Sequence, residues 1–320
     1  MIDLWFAIVA GCLVIYVVLD GFDLGTGALL FRLGKDEGAR SAVLHTLHPT
    51  WDGNEVWLLA GGASLVLAFP GLYATLTSGF YLALVITLWL LVLRGVTLEL
   101  RDHVGHPVWK KGCDGGFQLA SAGLVLVIGL VLGNVARGIP TTADGRFFLP
   151  LWTDLVSVEP AGVIDVWTLA VAGATALVLL HHGARWVAAH GDPRAAALAG
   201  RLWWGAALGA PVALGVLALG PSPLPALLLQ DPVAMVLVLT AVGAHLGART
   251  WACPLRAFFA SSAALALGLA ALGVALHPHG LPAPVGAVSI ALEVHAASAG
   301  ALRVGLWWWL PGMALVVLAF

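Results

Sequence analysis

Charge is what this sequence has least of. Only 10% of its 320 residues are Asp, Glu, Lys or Arg, against roughly 25% in an average soluble domain, while 60% are hydrophobic and the mean hydropathy is +0.96. Water is not its main solvent, and a soluble globular fold is excluded. With a formal net charge of -2 and no Lys/Arg run of the kind that tracks phosphates, nucleic acid is set aside as a partner. Cysteine is scarce as well. Cys12, Cys113 and Cys253 stand apart, so neither a CxxC metal site nor a disulfide framework is written here, and they read as packing residues. The start, Met1-Ile2-Asp3, has no basic n-region and no small-residue cleavage pattern, so the first apolar run reads as a retained span rather than a signal peptide.

Apolar runs are abundant instead. A hydrocarbon core about 30 Å thick takes ~20 apolar residues per helix, and the pattern predicts spans over 4–31, 53–70, 73–98, 116–136, 161–184, 202–220, 232–248, 255–276 and 302–320. Spans two and three are parted only by Pro70-Gly71-Leu72, where their combined length fits a helical hairpin better than one kinked helix. The expected fold is an all-α polytopic membrane protein with about nine transmembrane helices in one membrane domain, 1–320. Residues 1–136 and 161–276 are expected to form two four-helix bundles, with 302–320 as a peripheral last helix. Gly21 and Gly25, four apart, with Gly27, Gly61 and Gly62, offer surfaces where helix backbones can approach.

Basic residues are distributed unevenly. Joints one, three, five and seven hold Arg32, Lys35, Arg40, Arg94, Arg101, Lys110, Lys111, Arg185, Arg194, Arg201, Arg249 and Arg256, leaving only Arg137, Arg146 and Arg303 of the 15 for the even joints. Since cytoplasmic loops collect Lys and Arg, the N-terminus is expected outside and, with nine spans, the C-terminus inside.

Three groups of residues could carry chemistry. Asp20 and Asp23 lie three apart at the end of span one, and a rise of ~24 Å from Leu4 leaves Asp20 inside the inner part of the apolar slab. An ionisable group there is a functional-site candidate, with an ion pair or capping role as the bland alternative. At the start of span two, His48-Pro49-Thr50-Trp51-Asp52-Gly53-Asn54-Glu55-Val56-Trp57 reads equally as a helix cap by Thr50 or Asp52 with Glu55 completing a capping box, or as aromatic-walled acids of a proton uptake route. Arg94, Glu99 and Arg101 read first as an interfacial ion-pair network on the inner side. His181, His182, His245 and His295 invite comparison with haem or metal ligands, but none has a second ligand at diagnostic spacing.

The segments Leu19-Asp20-Gly21-Phe22-Asp23-Leu24-Gly25-Thr26-Gly27 and Trp51-Asp52-Gly53-Asn54-Glu55-Val56-Trp57-Leu58 resemble subunit II of the cytochrome bd family of quinol oxidases. The likeness continues through Ala68-Phe69-Pro70, Ser78-Gly79-Phe80-Tyr81, Arg94 to Arg101, Gly133-Asn134 and Gly138-Ile139-Pro140, and more faintly through Gly183-Ala184 and Ser261-Ser262. The resemblance implies a non-haem subunit of the bacterial cytoplasmic (inner) membrane, paired with a related subunit I that carries two b-type haems, one d-type haem and the quinol-oxidising loop. This chain would bind no cofactor directly, and a small accessory membrane subunit would be an optional further partner. By the same resemblance Asp52 matches an aspartate of a proton channel, with Trp51, Asn54, Glu55, Asp20 and Asp23 as secondary members. Cys113 before Asp114, the stretch Ser289-Ile290-Ala291-Leu292-Glu293-Val294-His295 and the end at Phe320 without an aromatic and basic tail depart from the family pattern, as expected either of a divergent, cyanide-insensitive branch or of a trimmed C-terminus. A proton- or cation-coupled secondary transporter using Asp20, Asp23 and Asp52 is the rival that composition alone allows.

Overall fold

Where the sequence sets an apolar run between prolines and glycines, the chain forms a helix. The computed structural model describes residues 1–141, 147–156, 162–277, 280–284 and 291–319; the expectations that touch Arg146, Ala161, Ser289, Ile290 and Phe320 lie outside them. In order the helices are α1 (Ile2–Ala28), α2 (Leu30–Leu33), α3 (Glu37–His45), α4 (Trp51–Ala68), α5 (Pro70–Gly79), α6 (Tyr81–Leu100), α7 (Pro107–Arg137), α8 (Val166–Ala189), α9 (Pro193–Ala218), α10 (Leu224–Gln230), α11 (Pro232–Thr250), α12 (Pro254–Leu276), α13 (Leu292–His295) and α14 (Ala299–Ala319). Proline opens α5, α7, α9, α11 and α12, where its missing N–H costs nothing.

Seven of these helices, α1, α6, α7, α8, α9, α11 and α12, are long and apolar enough to cross a bilayer, and α4 qualifies only together with α5. The 21-residue α14 holds Arg303, three consecutive tryptophans and Pro311 and is not among them. Nine is therefore approximate. The third span also starts later than expected, at Tyr81 rather than residue 73. Phe69 leaves the helical region (φ -134, ψ 61) and Pro70 begins a new helix, so α5 turns 120° away from α4 instead of running on into α6.

Helix α1 is the hub, packing on α4, α7, α8 and α12, while α8 also packs on α7, α9 and α12. Contacts thus run across the two expected helix groups. The closest crossing joins α1 to α8 at two glycines. A Cβ on Gly25 would overlap the Leu179 carbonyl, and one on Gly183 would overlap the backbone of Gly25 and Thr26; Thr26 Oγ1 donates to Gly183 O at 3.1 Å. Last in the chain, α14 rests on the rim, held by Trp5 Nε1 donating to Leu302 O (3.0 Å) and Trp309 Nε1 donating to Ser64 Oγ (2.8 Å).

Two apolar clusters close the ends of the hub. One gathers Trp5, Val9, Ala68, Phe69, Phe80 and Phe147, and the other, at the opposite end of α1, gathers Phe22, Leu30, Leu44, Leu98, Phe117 and Phe258. Outward faces remain apolar, as with Leu59 and Trp89, each 70% exposed, which suits lipid or another membrane subunit and not water.

Candidate functional site

Asp20 and Asp23 point from one face of α1 toward Arg94 of α6, and α4 closes the site with Asn54 and Glu55. Arg94 Nη2 lies 2.6 Å from Asp20 Oδ1 and 3.5 Å from Asp23 Oδ2, and Nη1 lies 2.8 Å from Glu55 Oε1. Asn54 Nδ2 donates to Asp23 Oδ2 (2.8 Å) and to Leu19 O (3.3 Å), tying α4 to α1. Asp20, Asp23 and Arg94 are fully buried, whereas the Glu55 side chain keeps 27% of its surface exposed. Three carboxyls therefore face one guanidinium. Burying two surplus negative charges would be costly, so the set favours a state with fewer than three ionised carboxyls. Asp23 Oδ1 accepts no hydrogen bond among the described residues, whereas Asp20 keeps the close contact from Arg94 Nη2.

Asp52 sits apart from this core. It is exposed at the open end of α4, one turn before Glu55, with His48, Glu99 and Arg94 as its charged neighbours. Trp51 packs beside Gly95 of α6 and on the apolar cluster at that end. The capping alternative is not realised: Thr50 is the N-cap residue without a side-chain cap bond, and its hydroxyl donates to Leu47 O.

The expected Arg94, Glu99 and Arg101 network is divided by the fold. Arg94 turns inward to the acids, Glu99 is exposed and joins neither cluster, and Arg101 builds a second cluster around Asp114. There Arg101 Nε donates to Asp114 Oδ1 (2.6 Å) and Arg40 Nε to Oδ2 (2.7 Å), while Asp102 bridges Arg101 (3.0 Å) and Lys110 (3.3 Å). Partial burial pushes the Asp102 carboxyl up, but the hydrogen bond from Lys110 and the Arg101 charge outweigh it and hold the group below the usual carboxylate range. Because Asp114 is fully buried between two guanidiniums, D114N should lower the thermal midpoint by several degrees, the cost of stranding buried charge being roughly 3–5 kcal/mol. D102N, on the exposed rim, should move it little; equal shifts would contradict this ranking.

A third cluster lies at the other end. Arg137 pairs with Asp165 and donates to Asn134 Oδ1 (3.0 Å) and Gly162 O (2.9 Å), clamping α7 to the start of α8. Asp165 also forms a capping box with Thr168. Sequence reasoning missed Asp165 altogether, although Asp-x-x-Thr ahead of an apolar run is a legible cap signal.

Three of the four histidines singled out in the sequence lie near the far ends of α8 and α11, and His295 lies against Gly71 of α5. His182 uses Nδ1 on Ser261 Oγ (2.8 Å) and Nε2 on Val18 O (3.0 Å). His181 Nε2 accepts from Arg185 Nε (3.2 Å), and His245 stacks on Trp203 with ring centroids 5.0 Å apart. No group of three His, Cys, Asp or Glu side chains among the described residues could hold a metal ion.

The chain is 35% identical over 181 residues to cytochrome bd ubiquinol oxidase subunit 2 of Bacillus subtilis, covering 57% of this chain and 51% of that one. It is 34% identical over 186 residues to cytochrome bd-I ubiquinol oxidase subunit 2 of Escherichia coli K12, covering 54% and 47%. A probable cytochrome oxidase subunit 2 of Haemophilus influenzae matches at 34% over 192 residues, covering 58% and 47%. The chain thus spans about half the length of the curated relatives it matches. In three dimensions it superposes on a chain of the bd oxidase from Geobacillus thermodenitrificans with a TM-score of 0.76 at 15% identity, over 99% of this chain and 96% of that one, which is a likeness of fold. The profile described as cytochrome bd terminal oxidase subunit II matches residues 1–320, and the chain belongs to that family.

Proposed function

We propose that this chain is the non-haem subunit of a bd-type quinol:oxygen oxidoreductase, pairing with a haem-bearing subunit I in the bacterial cytoplasmic membrane and carrying protons toward the site of oxygen reduction. The observation that carries the proposal is the buried set Asp20, Asp23, Glu55 and Arg94, reached from the exposed Asp52 along one face of α4. Reducing one O2 to two waters consumes four electrons and four protons, so a route for protons is required. Asp52 takes a proton at the mouth, Glu55, one turn further in and half-exposed, receives it, and Asp20 and Asp23 hold it against Arg94, whose single positive charge keeps the trio from repelling apart. Asn54 positions Asp23.

Family membership and the names of the relatives support the oxidase reading; the concentration of basic residues on the Asp52 side supports N-terminus outside and C-terminus cytoplasmic. Quinol is the substrate of the complex, with two b-type haems and one d-type haem on subunit I. The two helix groups, 1–136 and 161–276, are proposed as the halves of the single membrane domain. A coupled transporter is not favoured. That reading needs broken helices in matching positions of two repeats, and the one break among the described residues, between α4 and α5, has no counterpart.

Copurification tests the pairing: the chain should bring down a partner with b- and d-type haem bands and quinol-dependent oxygen uptake, and isolation without any haem-bearing partner sinks it. For the proton route, D52N should slow oxygen reduction by roughly tenfold or more, on the scale of losing a positioned proton carrier, while the haem spectrum stays intact. Full activity across pH in a correctly assembled D52N complex removes Asp52 from the route.

A further inference from the structure

The half of the chain remote from the acid cluster contains a cavity of about 420 Å³ between α8, α9, α11 and α12. Its walls are apolar, with Val178, Leu214, Leu228, Leu265 and Leu272 among them, and polar groups gather at one end, where His181, His245 and Trp203 meet. Trp203 Nε1 donates to His245 O (2.9 Å), and the rings of His181 and His245 lie 5.4 Å apart, which fixes α8, α9 and α11 together there.

Just beyond this end stand two arginines without a carboxylate. Arg185, half-buried on α8, spends Nε on neutral His181, and no ion pair of it or of Arg249 occurs among the described residues. The two lie within electrostatic reach of one another. Arg249, exposed on α11, stacks over Trp203 and Trp204, its guanidinium carbon 5.0 Å from each ring centroid. The local sequence offers nothing to neutralise them: from Val166 to Leu276 there are five arginines and only two acids, Asp192 and Asp231. Asp192 is spent capping α9, where its Oδ1 accepts from Arg194 N and Ala195 N. Asp231 caps α11 at its opposite end, ~27 Å from Arg249 along the helix. Two neighbouring guanidiniums held at an apolar cavity call for an external anion with a hydrocarbon body.

We propose that this cavity and its basic rim form a site for an anionic phospholipid, with the phosphate between Arg185 and Arg249, the headgroup beside the exposed Trp204, and an acyl chain in the groove between α9, α11 and α12. Aromatic and arginine side chains at one level match the interfacial region of a bilayer, and the apolar walls match the chain. The site is independent of the proton route, since none of its residues belongs to the acid cluster.

The test uses the full chain with whatever partner copurifies, in detergent, titrated in separate arms with phosphatidylglycerol, phosphatidylcholine and inorganic phosphate, and read by native mass spectrometry. Phosphatidylglycerol should bind more tightly than phosphatidylcholine, and phosphate alone should neither be retained nor compete. R185Q/R249Q should weaken phosphatidylglycerol binding roughly tenfold or more, given what each basic residue contributes at an anionic lipid surface, and leave phosphatidylcholine unchanged. R185K/R249K should recover most of the preference, which separates a charge effect from misfolding. Equal retention of both lipids by the unaltered chain overturns the proposal, as does undiminished phosphatidylglycerol binding by a folded R185Q/R249Q chain. So does competition by inorganic phosphate, or recovery of a neutral lipid in the cavity.

Discussion

An R94Q chain should fail to accumulate as a folded subunit. Among the described residues Arg94 is the one cation touching Asp20, Asp23 and Glu55, and its side chain is fully buried. Gln keeps some hydrogen bonding but no charge, so three carboxyls remain in a low-dielectric site with no counter-ion. Removing one partner of a buried pair costs roughly 3–5 kcal/mol, which is a large part of the stability of an ordinary domain. The expected readout is a severe loss of assembled complex in membranes, with any surviving fraction melting well below the unaltered protein. R94K should rescue part of the assembly, because an ammonium restores the charge without the two-pronged fork that reaches Asp20 through one nitrogen and Glu55 through the other. R94Q combined with D20N and D23N should fold better than R94Q alone and still turn over slowly, since the proton-holding groups are gone. An R94Q chain with the original thermal midpoint would show that the acids need no counter-charge, and the ionic account of the cluster would fall.

The second large effect is steric. At the α1 to α8 crossing, G183V should prevent the two helices from docking. Even the first carbon of the valine side chain would occupy the space of the Gly25 and Thr26 backbone, and backbone cannot rotate out of the way as a side chain can. Overpacking a well-fitted interior costs about 1–3 kcal/mol when side chains yield, and more is expected here because α1 must lift off α8, breaking the Thr26 to Gly183 hydrogen bond. G173V, on the same helix where an added Cβ meets nothing within 4 Å, is the matched control and should assemble normally. Comparable assembly of both variants would show that the crossing tolerates separation.

The positions of the long helices were legible because each is an apolar run of bilayer length closed by proline, glycine or charge. The α4 to α5 turn was not, since Tyr73 to Phe80 carries no charge to mark a break, although Thr75, Thr77, Ser78 and Gly79 make it less apolar than α6, and composition carries no angle. Glycines at residues 21 and 25 correctly signalled close approach, but Gly183, the partner at the tightest point, carries no local mark. Within the site, Arg94 was grouped with Glu99 by proximity along the chain. Helical geometry argues against that pairing, because residues five apart do not share a face while those three or four apart do. Its actual partners, Glu55 and Asp20, lie 39 and 74 residues away and meet it only through the packing of α1, α4 and α6. Asp52 drew most weight from family resemblance, whereas the fold sets Asp20 and Asp23 at the centre and Asp52 at the rim.

The apolar plug around Trp5, Phe69, Phe80 and Phe147 bears on how such a site could behave in an energised membrane. Between Asp3 and Asp20, α1 carries no ionisable group other than Cys12 and Tyr16, both buried, and the plug closes the end of the hub that α5 folds across. Among the described residues, this plug separates the acid cluster from the Trp5 end of α1, and Asp52 stands at the exposed end of α4. Under the proposed proton route, the membrane voltage would fall mainly across the plug rather than between Asp52 and the buried acids, so charge would be loaded from the Asp52 side without a short circuit to the Trp5 end.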